Sequence, residues 1–198
     1  MFVITADQRN SQEGSDLVPA ALAALGRIGA DALPLAPERT AGDEIQALVD
    51  RADAALAISL ALTRTGHWSV GLGAGSVDAP LPDVVRAARG TAFLHARDAV
   101  ERAKSTPTRI AVTAPEPDAA GDAEALLRLL VELRDRRSDE GWEIHDLLAT
   151  GVTQREAAES LGITESAVSR RVRAAAIRSE EAALPALTRV LAALDGGR

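Results

Sequence analysis

The sequence predicts an α+β domain at the N-terminus followed by an all-α domain. Three observations carry that reading. Short apolar runs of strand character alternate with helically spaced segments as far as Thr113, whereas every apolar segment from Asp122 onward has helical spacing. Between them, APEPDAAGD (114–122) has two prolines, a glycine and no apolar periodicity, and reads as a seam. The expected domains are therefore 1–115 and 122–198.

Within the first domain, Phe2–Ala6 is an apolar run ending in Asp7 and is expected to be a buried strand. Leu17–Leu25 has helical spacing and stops at Gly26. Ala32–Glu38 and Glu44–Val49 read as strands joined by a turn at Thr40-Ala41-Gly42-Asp43. Ala52–Thr63 is an alanine- and leucine-faced helix, and Trp68–Ala74 a glycine-rich strand. Thr91–Lys104 is a helix and Arg109–Thr113 a last strand. The order β-α-β-β-α-β, with one further helix and strand, is the ferredoxin-like arrangement.

Five helices are expected in the second domain. Residues 122–137 place Leu126, Leu129, Leu130 and Leu133 on one stripe, and 140–149 carry Trp142, Ile144, Leu147 and Leu148. Residues 153–161 and 164–177 form a pair, and 179–194 closes the chain despite Pro185. Trp68 and Trp142 are expected in the core.

Composition narrows the function classes. The chain has no cysteine, so disulfides and thiolate metal sites are excluded. Its first residues, MFVITADQRN, lack the pattern of a secretory leader, and no apolar run reaches the length of a membrane helix. A cytoplasmic protein without membrane association is expected. The net charge of −7 argues against indiscriminate coating of nucleic acid. Locally the sign reverses: residues 150–178 hold Arg155, Arg170, Arg171, Arg173 and Arg178 against Glu156, Glu159 and Glu165. Lys104 is the one lysine.

The segment GVTQREAAESLGITESAVSRRVRAA (151–175) explains that local charge. Thr153 and Glu156 have capping-box spacing, Ala157 and Ala158 are small enough for close helix approach, and Gly162 suits a left-handed turn. Thr164 can cap a second helix, whose inner face is Val168, Val172 and Ala175. The outer face keeps Ser166, Ser169, Arg170 and Arg173, hydroxyls and guanidinium groups suited to bases and phosphates. Gln154 and Arg155 sit at the first helix start, in reach of a phosphate. The expected function is a helix-turn-helix (153–177) that binds double-stranded DNA in a transcription regulator, with Thr153, Gln154, Arg155, Thr164, Ser166, Ser169, Arg170 and Arg173 at the interface. A homodimer is expected, with Leu184, Leu187, Val190, Leu191 and Leu194 of the last helix as the candidate pairing surface. The alternative is a protein-interaction adaptor with an inactive helix-turn-helix.

ITESAVSRRVRAA behind TQREAAESLG resembles the helix-turn-helix of sigma-factor region 4 and of MarR-like regulators. The wider chain, from ITADQRNS through AGDEIQAL to this motif, resembles the bacterial SatD family, which implies a DNA-binding protein. FVITAD, RTAGDEIQ, WSVGLGAG and RGTAFLHARDAVERA are similar to segments of the palm domains of class III nucleotidyl cyclases and diguanylate cyclases. That resemblance implies a palm-like sheet in which Asp7 and Asp43 hold Mg²⁺ with a nucleotide, and a second alternative, a divalent-metal-dependent cyclase-like enzyme with an accessory helical domain. Cyclases carry an asparagine and an arginine on the last helix of that domain, where this chain has Leu94 and Asp98, with Arg97 out of phase. A protein that is not an enzyme is the better expectation. GLGAG (71–75) has no helix immediately behind it, so it is not a dinucleotide fingerprint, and His67, His95 and His145 lack metal-ligand spacing.

Overall fold

The computed structural model describes residues 1–11 and 14–195. They divide into two compact units, Met1–Val131 with Leu187–Arg198, and Glu132–Ala186. The division therefore falls inside helices rather than at the 114–122 seam.

The first unit is built on a five-stranded mixed sheet. Its strands are β1 (Phe2–Gln8), β2 (Glu38–Ala41), β3 (Glu44–Val49), β4 (Trp68–Ala74) and β5 (Ile110–Thr113), in the order β2-β3-β1-β4-β5. The pairings among the first four are antiparallel, and β5 is parallel to β4. The order β2-β3-β1-β4 is the one a β-α-β-β-α-β chain adopts when both crossover helices lie on one face. Helices α1 (Val18–Gly29) and α2 (Ala52–Arg64) pack on one another and on the sheet. Helix α3 (Thr91–Ala103) leads into the parallel strand and covers the face that carries Val3, Gly71 and Gly73.

The contact of α3 with β4 is unusually close. A Cβ on Gly71 would lie 2.2 Å from the Val100 amide nitrogen, and one on Gly73 2.2 Å from that of Ala96. Backbone therefore rests on backbone, with Ala92, Ala96 and Val100 fully buried. This is the role of the glycines in GLGAG. They serve helix–sheet packing, not a phosphate turn.

The far edge of the sheet is closed by side chains. Along β5, the Val112 amide donates to Glu124 Oε2 (2.8 Å), and the Val112 carbonyl accepts from Arg102 (2.7 Å). The Ile110 carbonyl accepts from Arg128 Nε (3.0 Å), and Glu124 also pairs with both arginines. Glu124 and Arg128 belong to helix α4 (Pro117–Asp135), which lies along this strand and satisfies backbone groups that an edge would leave open.

Several sequence expectations shift. The strand expected at 32–38 is displaced to Glu38–Ala41, because Pro34 and Pro37 cannot serve a ladder and Ala30–Ala32 forms a short 3₁₀ turn. Most of the 114–122 seam is the first turn and a half of α4, with Pro117 at a helix start where its missing N–H costs nothing. The leucine stripe of α4 is also out of phase. Leu127, Leu130 and Val131 are buried with Ala120 and Ala123, whereas Leu126 and Leu129 are 46% and 65% exposed. The buried face runs through the alanines and Leu127, so of the expected stripe Leu130 is buried, Leu133 half-buried, and Leu126 and Leu129 are turned outward.

The second unit is helical, with α5 (Asp139–Ala149), α6 (Gln154–Leu161) and α7 (Glu165–Ala174) around Ile144, Ala157, Ala158, Val168 and Val172. The start of α8 (Ile177–Leu194) adds Ile177. Buried Glu180 accepts from Arg137 (2.5 Å) and pairs with Arg134. Both guanidinium groups lie over Trp142, 4.3 and 4.9 Å from its ring centre. Trp142 is thus half-buried under two cations and not a core residue. From Leu187 onward α8 belongs to the first unit, where Leu187, Leu191 and Leu194 are buried. Of the residues expected to form a pairing surface, these three are buried within the chain, and Leu184 and Val190 are half-buried.

Two tests follow from these contacts. Gly73→Ala should destabilise the chain by at least about 3 kcal/mol, the upper end for overpacking, since the obstructing atoms are backbone; chemical denaturation measures it. Burial raises the Glu180 pKa, but Arg137 and Arg134 outweigh burial and hold it below the usual 4.5. Its stabilisation is present above the unfolded pKa and lost as pH falls through the folded one. Melting from pH 7 to pH 2 should show that loss in the parent, whereas Glu180→Gln should be destabilised by about 3 kcal/mol at pH 7 and lack this component on acidification.

Candidate functional site

At one end of the sheet a polar cleft of about 510 Å³ is lined by Asp7, Arg9, Asn10, Asp43, Ser69, Lys104 and Arg109, among others. Strand alternation explains why these residues meet. Asp7 pairs in register with Glu44 on one side and Ser69 on the other, so all three share the face covered by α3. Asp43 occupies the tight turn between β2 and β3, where Gly42 takes a φ of 55°, and its carbonyl accepts from the Gln8 amide (3.2 Å). Lys104 follows directly on α3 and brings Nζ to 3.3 Å from Asp7 Oδ2 and 2.9 Å from Glu101.

The charges in the cleft are not balanced pair by pair. Burial raises the Asp7 pKa, Lys104 opposes this, and the Asp43 and Glu44 carboxylates raise it further. Arg9 donates to the Gly66 carbonyl (2.8 Å), and Arg109 to the Lys104 carbonyl (2.5 Å). Neither has a carboxylate partner among the described residues.

Asp7 and Asp43, expected as metal ligands, thus line one cleft. They are hard oxygen donors of the kind Mg²⁺ takes. The structure adds that Lys104 already holds an Asp7 oxygen. No group of three or more His, Asp or Glu side chains placed to hold a metal occurs among the described residues. On α3, Leu94 is 71% exposed, and Asp98 accepts from Thr113 (2.8 Å) and Arg102 (3.3 Å). Arg97 reaches Glu44 at 3.6 Å. His95 bonds the Ala74 carbonyl through Nδ1 (2.6 Å) and so fastens α3 to β4. Sequence reasoning missed Lys104, Arg109 and Ser69 as neighbours of Asp7. The available signal was a lone lysine in a chain whose other basic residues are all arginine.

In the helical unit, Thr153 and Glu156 form the capping box: Thr153 Oγ1 accepts from the Glu156 amide (3.2 Å), and the Thr153 amide donates to Glu156 Oε2 (2.7 Å). These bonds hold the Glu156 carboxyl below its usual range. Gly162 ends α6 in the left-handed region, and Thr164 Oγ1 accepts from the Ala167 amide (3.2 Å) to start α7. Ser166, Ser169, Arg170 and Arg173 are exposed on α7, while Val168 and Val172 are buried. Thr153 and Thr164 are engaged as caps, and Gln154 is half-buried.

The arginines of this segment divide into two groups. Arg171 is held by Glu143 (2.8 Å), Arg155 by Glu159 (3.3 Å) and Arg178 by Glu181 (3.0 Å). Arg170 and Arg173 have no ion pair or side-chain hydrogen bond among the described residues, and they stand three positions apart on the outer face of α7.

No helix among the described residues is long and apolar enough to cross a membrane. Comparison with known proteins returned no match: no family model, no curated protein and no solved structure is significantly similar to this chain.

Proposed function

We propose that α6, the Gly162 turn and α7 form a helix-turn-helix that reads double-stranded DNA, and that the protein is a sequence-specific transcription regulator. The observation that carries this reading is the pair Arg170 and Arg173. Their neighbours Arg155, Arg171 and Arg178 are neutralised by glutamates, whereas these two remain unpaired in solvent beside Ser166 and Ser169. An exposed, uncompensated guanidinium gains little for folding and is suited to the O6 and N7 of guanine or to a phosphate. The Arg171–Glu143 pair fixes α7 to α5, which gives the reading face a rigid support.

A single recognition helix contacts few bases, so the DNA-bound form is read as a homodimer on a two-fold site. The enzyme alternative is disfavoured by Leu94 and Asp98, which offer no donors for developing phosphate charge.

Selection of bound genomic fragments at near-physiological salt tests the reading. The parent should enrich a defined motif. Arg170→Ala with Arg173→Ala should lose at least about 30-fold in affinity for it, about 1–3 kcal/mol per arginine, at unchanged melting temperature. Arg171→Ala should cost less than tenfold in affinity but lower the melting temperature. A parent protein that enriches no sequence removes the proposal.

A further inference from the structure

We propose that the cleft beside Asp7 binds a phosphorylated small molecule without a divalent cation, with Lys104 standing where a metal would otherwise neutralise Asp7. The proposal does not rest on the DNA reading and concerns the other unit of the chain.

Three observations converge. First, the ammonium of Lys104 lies between Asp7 (3.3 Å) and Glu101 (2.9 Å), so the half-buried Asp7 at the end of β1 has a resident counter-charge. A divalent ion seeking the same Asp7 oxygens would have to displace it.

Second, the cleft is rich in cations for an acidic chain. Arg9, Lys104 and Arg109 line it with Asp7 and Asp43, and with Glu101 beside Lys104 the local charges are even where the whole protein carries −7. The two arginines are positioned by backbone carbonyls rather than by carboxylates, so their positive charge is oriented but not cancelled. Guanidinium groups held in this way are pre-arranged for an anion with several acceptor oxygens. Ser69 and Asn10 add neutral hydrogen-bonding groups on the same wall.

Third, Arg109 adopts a φ of 53°, a left-handed conformation that costs a side-chain-bearing residue about 1–3 kcal/mol. Its amide donates to Thr106 (3.2 Å) and its carbonyl accepts from Val70 (2.8 Å), so the surrounding backbone fixes it there. A glycine or asparagine would meet the turn with less strain. An arginine at this position contributes its guanidinium to the cleft.

A cleft of about 510 Å³ is of the size that takes a nucleotide or a sugar phosphate. The raised pKa of Asp7 agrees with a carboxylate that its lysine only partly offsets, and that a bound phosphate would push further toward the protonated form.

Titration calorimetry on the full chain tests the proposal with two probes, inorganic triphosphate and ATP, each in EDTA and then in excess MgCl₂. Binding of at least one probe in EDTA is expected. Triphosphate equal to ATP would assign the site to the phosphate chain alone, whereas preference for ATP would assign it to a nucleotide, and both support the proposal. Lys104→Gln and Arg109→Asn should each weaken binding at least tenfold. Lys104→Arg should retain it, which separates loss of the charge from loss of the fold. Asp7→Asn should bind as well as the parent or better. Absence of heat from both probes in EDTA overturns the proposal. So does binding that requires Mg²⁺ and is lost in Asp7→Asn, since the carboxylates would then be metal ligands and Lys104 their counter-ion.

Discussion

The seating of α3 on Gly71 and Gly73 is the contact on which the first unit depends. Because the helix backbone touches the strand backbone, α3 has one permitted position along β4, set by where Ala92, Ala96 and Val100 meet the two glycines. Three consequences follow along the helix. Near its start, His95 reaches the Ala74 carbonyl. In its last turn, Arg102 reaches the open side of β5. Just beyond its end, Lys104 reaches Asp7. Side chains in place of the two glycines would push α3 away from β4 and carry these three residues with it.

How much of this was legible in the sequence depends on which residue type carried the signal. Strand order followed from chain order, because Phe2–Ala6, Glu44–Val49 and Trp68–Ala74 are apolar runs of strand length with turn residues between them. The caps at Thr153 and Thr164 and the turn at Gly162 were readable because a cap is a local interaction between residues a few positions apart. The phase of α4 was not. Its buried face is marked by Ala120 and Ala123, and an alanine has the same sequence signature on an exposed helix surface as beneath a sheet. Nor was the second half of the cleft readable. Lys104 and Arg109 lie about a hundred residues from Asp7, and only the parallel return of β5 beside β4 brings them back to the same end of the sheet. The glycines of β4 were visible but ambiguous, since close approach to a phosphate and close approach to a helix both exclude a Cβ.

The distribution of arginine pairs is informative in both units. Most of this chain's guanidinium groups have a defined intramolecular task. Arg102 and Arg128 close a strand edge, Arg134 and Arg137 surround Glu180 and cover Trp142, and Arg171 joins α7 to α5. Among the described residues the guanidinium groups of Arg170 and Arg173 on α7 and of Arg9 and Arg109 in the cleft have no carboxylate partner, and neither do those of the exposed Arg27, Arg86, Arg89 and Arg189. The first four differ in standing together, two on one helix face and two in one cleft. The overall acidity of the protein hides both groups from any argument based on net charge alone.

The ionic closure of β5 has a bearing on assembly. Backbone groups that would accept another strand are already bonded to Glu124, Arg102 and Arg128, and at the opposite edge β2 is only four residues long. The β5 edge therefore offers no open ladder for a second chain, and the β2 edge only a short one. The apolar surface left to solvent is helical instead, and the outward leucines of α4, Leu126 and Leu129, are the largest apolar side chains that helix exposes.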